Sequence, residues 1–136
     1  MRCWPMCAAT PVEWEKIRQI LARNENIVAA WVFGSARSGF VQPGSDLDLG
    51  ILFDTLPTLD ELATLSADLQ EALQIEEIDL SILNRASPVL RFEAISGRPV
   101  FCRNVSKRAT FASLTAREYE DEMAFARRGL EAWKAG

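Results

Sequence analysis

Residues 33–53 read FGSARSGFVQPGSDLDLGILF, and this stretch decides how the rest of the chain is understood. An apolar run ends at Phe33 and passes into Gly34-Ser35. Ten residues follow, and then Asp46 and Asp48 stand one residue apart at the head of a second apolar run ending at Phe53. Side chains alternate across a strand, so a strand over 46–53 puts Leu47, Leu49, Ile51 and Phe53 on one side. Asp46, Asp48 and Gly50 fall on the other, with the carboxylates facing away from the core. A later stretch, EEIDLSIL at 76–83, splits the same way: Ile78, Leu80 and Ile82 face the core, opposite Glu77, Asp79 and Ser81.

If these two strands are neighbours in one sheet, Asp46, Asp48 and Asp79 converge on one surface. Three unneutralised carboxylates within hydrogen-bond range repel one another, so the cluster calls for a cation. Magnesium suits it: a hard ion that takes oxygen ligands at about 2.0–2.1 Å and combines one or two carboxylates with substrate phosphates. Same-face residues on a strand lie about 6.6 Å apart, close enough for inward-reaching carboxylates to bracket one ion or a pair. Gly34-Ser35 complements this, since a strand ending in glycine exposes backbone N–H groups and the serine hydroxyl can donate to a phosphate oxygen. Arg37 carries a fork of donors suited to a triphosphate, against the plainer reading of a solvated loop arginine. Ser45 fits either a nucleotide contact or a simple turn into the strand. Taken singly, a Gly-Ser pair is an ordinary turn and a lone aspartate a surface charge. The combination at this spacing carries the chemistry.

Outward from this centre the chain alternates helical and strand-like patterns. Trp14, Ile17, Ile20 and Leu21 mark a helix over 11–24, with Thr10-Pro11 as its cap and first turn. Residues 27–33, IVAAWVF, read as a buried strand. Leu59, Leu62, Leu65, Leu69 and Leu73 lie on one face of a second helix. Ser87-Pro88 opens a third, and Gly97 closes it through a left-handed exit. Residues 98–103 form a last short strand, and a long helix runs from about Ser106.

Composition limits the function. The 136 residues, 49% of them hydrophobic, suit one domain with its own core. Nineteen acidic against fifteen basic residues give a net charge of −4. No global positive field draws in nucleic acid, so direct nucleic-acid binding is not expected. No run approaches the roughly 20 apolar residues of a membrane helix, and residues 1–7 lack a signal-peptide core, which places the protein in the cytoplasm. Cys3, Cys7 and Cys102 are an odd number without metal-site spacing, and the chain has no histidine. Ser-His-Asp and Cys-His chemistry is thereby excluded, leaving carboxylates, arginines and a metal.

Gly34-Ser35, ten intervening residues, Asp46-Leu47-Asp48 and a later Asp79 resemble the signature of the nucleotidyltransferase superfamily related to DNA polymerase beta. Together with the segment SPVLRFEAISGRPVF at 87–101, the order of elements is similar to the minimal nucleotidyltransferases over about residues 11–103. The resemblance implies an α/β (α+β) nucleotidyltransferase fold: a small mixed sheet of about four strands flanked by helices, in one domain over 1–136, with a C-terminal helix at 106–134. It implies an Mg2+-dependent enzyme using ATP, with Asp46, Asp48 and Asp79 catalytic and metal-ligating and Gly34, Ser35, Arg37 and Ser45 on the nucleotide. It further implies an antitoxin that transfers AMP to a tyrosine of a partner HEPN-domain ribonuclease toxin, with which it would form a hetero-oligomer.

Two alternatives stand beside that reading. A binding-only antitoxin would neutralise its partner by occlusion, and a small-molecule enzyme of the aminoglycoside-modifying kind would use the same triad on a drug. The intact triad disfavours the first, and the little room left for an acceptor domain disfavours the second. The C-terminal helix carries a stripe of Thr115, Tyr119, Met123, Ala126, Leu130 and Trp133. Such a stripe packs on the domain's own core or presents a partner surface.

Overall fold

A computed structural model describes residues 10–42 and 45–135. The elements run β1 (Thr10–Pro11), α1 (Trp14–Ala22), β2 (Ile27–Phe33), a 3-10 turn (Gly34–Ser38), β3 (Phe40–Val41), β4 (Leu47–Phe53), α2 (Leu59–Leu73), β5 (Ile78–Ile82), α3 (Pro88–Ile95), β6 (Arg98–Cys102) and α4 (Val105–Ala135). The main sheet has the order β5-β4-β2-β6. β2 pairs antiparallel with β4 and β6, whereas β4 and β5 run parallel, so the sheet is mixed. This is the expected architecture of four strands, flanking helices and a long C-terminal helix.

Local chemistry sets the helix boundaries. At α2, the Thr58 hydroxyl accepts from the Glu61 backbone N–H and the Glu61 carboxylate reaches back to the Thr58 N–H, a capping box that satisfies two orphan donors. Ser87 caps α3 through the Leu90 N–H, with Pro88 in the first turn as expected. At α4 the Asn104 side chain accepts from the Lys107 N–H.

Two expectations at helix ends are corrected. Thr10-Pro11 does not start α1: it forms β1, which pairs antiparallel with β3, and α1 begins at Trp14 without a side-chain cap. Two extended residues docked on the loop beyond Gly34 leave no periodicity for a sequence reading to find. Nor does Gly97 provide a left-handed exit, since α3 ends at Ser96 in the right-handed region and, among the described residues, the positive-φ glycines are Gly34 and Gly39. Close approach explains Gly97 instead. A Cβ there would run into the Val32 carbonyl oxygen and lie 2.9 Å from Phe33 Cβ, so only glycine lets β6 begin flush against β2.

Both faces of the sheet are covered. On the first, α1 and α2 bury Ile17, Leu21, Leu69 and Leu73 against Leu47, Leu49, Ile51, Phe53 and Val32. On the second, α3, through its buried Ala94, and the start of α4 cover Trp31, Phe33, Leu52 and Leu83, and Phe111 of α4 lies 6.0 Å from Trp31 between ring centroids. The carboxylate face of β4 is therefore not simply open: Gly50 and Leu52 at its far end are buried. Only the near end, at Asp46 and Asp48, is left clear. Fully burying side chains of this kind contributes about 1.5–3 kcal/mol each, enough for two cores to hold the strand between them in place.

Among the described residues, no helix is long and apolar enough to cross a membrane. Cys3 and Cys7, together with the N-terminal segment judged to lack a signal-peptide core, lie outside the described residues. Cys102 is a free, half-buried thiol on β6.

Candidate active site

The two acidic strands are neighbours. In the parallel ladder Asp48 of β4 stands directly beside Asp79 of β5, with Leu47 beside Ile78 and Leu49 beside Leu80. Parallel in-register pairing puts side chains from the two strands on a common face, so the split read in each strand is shared by both. Asp46, one residue before β4, joins them. One carboxylate oxygen from each of Asp46, Asp48 and Asp79 lies within 4.8 Å of the others. Asp46 and Asp79 are exposed, and Asp48 is half-buried.

The Gly-Ser turn is brought to the same place by the other neighbour of β4. Phe33, the last residue of β2, pairs with Asp48 across the antiparallel ladder, so Gly34 begins its turn beside that carboxylate. Gly34 adopts φ +71°, and a Cβ added to it would sit 2.5 Å from Asp48 Oδ2. Both the left-handed backbone and the tight contact require glycine. The turn is anchored underneath by Ala36, which is fully buried, and closed by the Gly39 N–H donating to the Ala36 carbonyl at 3.0 Å. The Ser38 hydroxyl donates to the Ser35 carbonyl at 3.1 Å, leaving the exposed Ser35 side chain facing outward from a fixed loop.

Electrostatics mark Asp48 as the group under most load. Burial pushes its carboxyl above the ordinary carboxylate value, and the negative charges of Asp79, Asp46 and Glu93 push it further the same way. Glu93, on α3, is a contributor that the sequence reading did not include. Its position is set by how α3 lies across the second face, which no local pattern encodes. A cluster whose central carboxylate resists ionisation is one that a hard cation would relieve, and three oxygen donors fit a divalent ion of the magnesium type.

The remaining candidates are placed as follows. Arg37 is exposed and borders an open cavity of about 580 Å³ together with Ser38, Ser96, Gly97 and Arg98; none of the three aspartates lines it. Ser45 is half-buried, and its backbone N–H donates to the Gln42 carbonyl at 3.0 Å, a turn that delivers Asp46 to the strand. Pro43 and Gly44 lie outside the described residues. A larger cavity of about 720 Å³ lies elsewhere, between the end of α1 and the start of α2, among Asn24, Asn26, Thr58 and Glu61. There the Asn24 and Asn26 amides donate to Glu61 at 2.8 and 3.2 Å, a polar seam that joins two helices and holds none of the triad. The chemistry, rather than the cavity size, identifies the site.

Comparisons with known proteins bear on the fold and the family. No curated protein matches the chain. Among solved structures, one of a toxin–antitoxin complex with AMP-PNP is similar with a TM-score of 0.73 at 22% identity, over 90% of this chain and 99% of that one. The MntA–HepT toxin–antitoxin structure is similar with a TM-score of 0.67 at 21% identity, over 89% and 96%. A third, of a tri-AMPylated Shewanella oneidensis HEPN toxin in complex with an MNT antitoxin, has a TM-score of 0.67 at 20% identity, over 89% and 95%. At such identities these likenesses speak for the fold. The family model described as "Polymerase beta, Nucleotidyltransferase" matches residues 15–106, a span holding the Gly-Ser turn, all three aspartates and every strand of the main sheet. By that match, well over half its length, the chain belongs to the polymerase beta nucleotidyltransferase family.

Proposed function

We propose that this chain transfers AMP from ATP to a hydroxyl of a HEPN-domain ribonuclease toxin, a tyrosine being the acceptor, and so acts in the cytoplasm as the antitoxin of a toxin–antitoxin pair. The observation that carries the reading is the convergence of Asp46, Asp48 and Asp79, oxygens within 4.8 Å, beside the Gly34 turn. Supporting it are fold neighbours whose structures include AMP-PNP in one case and an AMPylated HEPN toxin in another.

Asp46, Asp48 and Asp79 would hold magnesium, which when bound supplies charge neutralisation for the triphosphate. The Gly34 turn and the Ser35 hydroxyl hold phosphate oxygens, Arg37 adds a fork of donors, and the Ser45 turn keeps Asp46 aimed at the site. The acceptor hydroxyl attacks the α-phosphorus in line. Its oxygen forms the new P–O bond as the bond to the β-phosphate bridging oxygen breaks, and pyrophosphate leaves with that electron pair. Asp79, exposed at the edge of the cluster, accepts the hydroxyl proton. Positioning and electrostatics supply most of the rate, and both depend on carboxylates carried by strands rather than by loops. The chain works as one domain, with the outer half of α4 as the docking surface for the partner.

The test is to incubate the HEPN-domain partner with labelled ATP, magnesium and this chain, and to map any mass increase. AMP on a partner tyrosine, lost with Asp46→Asn, is the expected result. Neutralisation without modification would replace this reading with occlusion, and label on a small molecule alone would replace it with drug or metabolite modification.

A further inference from the structure

We propose that the outer edge of β5 receives an extended segment of the acceptor protein as an added strand, and that this pairing sets the acceptor tyrosine beside Asp79. The proposal rests on the nucleotidyl-transfer reading and adds to it the surface that registers the acceptor.

The backbone of β5 offers the pairing. This strand ends the main sheet and is paired there with β4 alone. The Glu77 carbonyl accepts from the Leu47 N–H, and the Leu83 N–H donates to the Ile51 carbonyl, so Glu77, Asp79, Ser81 and Leu83 turn their backbone groups toward β4. By the same alternation Ile78, Leu80 and Ile82 turn theirs outward. The Ile82 carbonyl accepts from the Arg85 N–H. Among the described residues, the N–H and C=O of Ile78 and Leu80 and the N–H of Ile82 find no hydrogen-bond partner. Edge groups of this kind are a template for another strand.

The two edges of the sheet differ. β6, at the opposite side, is blunted by Pro99, which lacks an N–H, and by a register shift against β2 between Ala30 and Trp31. β5 keeps an unbroken register from Ile78 to Ile82 and holds neither proline nor lysine. Its apolar side chains Ile78, Leu80 and Ile82 are only half-buried, so a strand laid beside them removes further apolar surface from water.

Position ties this edge to the chemistry. Asp79 is carried by β5 itself, directly beside Asp48, and is exposed. An added strand lies about 4.8 Å beyond β5, and its residue opposite Asp79 shares the face of the cluster. From there a tyrosine ring carries its hydroxyl across one strand spacing to the carboxylates. A serine or threonine hydroxyl, bonded directly to Cβ, stays over its own strand. Glu76 and Glu77 are exposed at the same end of β5, next to Asp79, so the edge selects a segment with lysine or arginine near its tyrosine. Apolar residues at alternate positions of that segment cover Ile78, Leu80 and Ile82 on the α2 side.

The test uses the wild-type chain with magnesium, ATP and a synthetic peptide spanning the tyrosine modified in the partner protein. Methylating the peptide's backbone nitrogens one at a time should raise KM for the peptide about tenfold at alternate residues and leave it unchanged at those between, because only every second N–H of a strand faces β5. Ile82→Pro removes an edge N–H that makes no bond among the described residues. It should raise KM for the peptide and for the whole partner by a similar factor, while magnesium-dependent ATP binding, read by calorimetry, keeps its wild-type value. Uniform or absent effects along the peptide, a peptide left unmodified by a chain that modifies the whole partner, or an unchanged KM in a folded Ile82→Pro would overturn strand addition and leave the transfer reading standing. Failure of the wild-type chain to modify the partner at all would overturn both.

Discussion

The Asp48 carboxylate lies against the backbone of Gly34: a Cβ on that glycine would sit 2.5 Å from Asp48 Oδ2. The aspartate cluster and the Gly-Ser turn are therefore one packed unit, joined through the Phe33–Asp48 pair of the β2–β4 ladder.

Gly34→Ala tests that union. The substitution forces a non-glycine residue to φ +71° and displaces the carboxylate. A stability loss of about 1–2 kcal/mol is expected from the backbone alone. Magnesium-dependent ATP binding should fall much further than stability does, because the new methyl group pushes on the Asp48 carboxylate. Denaturant unfolding and calorimetry read the two separately, and wild-type nucleotide affinity in this variant would show that the contact does not matter to binding.

Asp48 predicts an unusual pH dependence. Its folded-state pKa is raised by burial and then by Asp79, Asp46 and Glu93, so the native state holds this proton more tightly than the unfolded chain does. By linkage, stability then falls as pH rises from the ordinary value of 3.8 through the raised one, and the penalty persists at neutral pH. Asp48→Asn should therefore melt higher than wild type at pH 7 without metal, with the difference shrinking as pH drops below that ordinary value. Magnesium should stabilise wild type and leave the variant unmoved. A variant that melts lower at every pH would count against carboxylate repulsion.

Gly97→Ala should be among the most damaging small changes in the chain. Its Cβ would meet the Val32 carbonyl and lie 2.9 and 3.0 Å from Phe33 Cβ and Cα, so β6 must move off β2. Overpacking of this kind costs about 1–3 kcal/mol, seen as a lowered denaturation midpoint. The change also shifts the Gly34 turn, so ATP affinity should fall with it.

The C-terminal helix divides in two. Thr115 is buried and Tyr119 stacks on Phe92 at 4.0 Å, nearly coplanar, whereas Phe125, Leu130 and Trp133 are exposed. Tyr119→Ala should lower fold stability by about 1–3 kcal/mol. Trp133→Ala, from a side chain 79% exposed, should leave the melt unchanged and weaken AMP transfer to the partner protein. Unimpaired transfer in Trp133→Ala would remove the outer helix from docking.

Base selectivity should be modest. The cavity beside the turn is walled by Arg37, Ser38, Ser96, Gly97 and Arg98, groups that read phosphate rather than a purine edge. Competition between ATP and GTP for the isolated chain should differ by no more than about tenfold. Strong preference for one would reveal a base pocket elsewhere on the surface.

The sequence by itself determined the four strands of the main sheet and their two faces. Alternation in DLDLGILF and EEIDLSIL assigns Leu47, Leu49 and Ile51 to the core and the aspartates to the opposite face, because strand periodicity is local and strict. The capping residue Ser87 acts on its own helix for the same reason. Only the tertiary structure decided that β4 and β5 are parallel neighbours, which turns three separate aspartates into a cluster. It also decided that Gly97 serves a close approach, that Thr10-Pro11 pairs with the loop beyond the turn, and that Tyr119 stacks on Phe92 while Trp133 is left exposed. Each of these depends on which element lies across which. Such contacts join residues far apart in the chain, and neither spacing nor propensity carries that information.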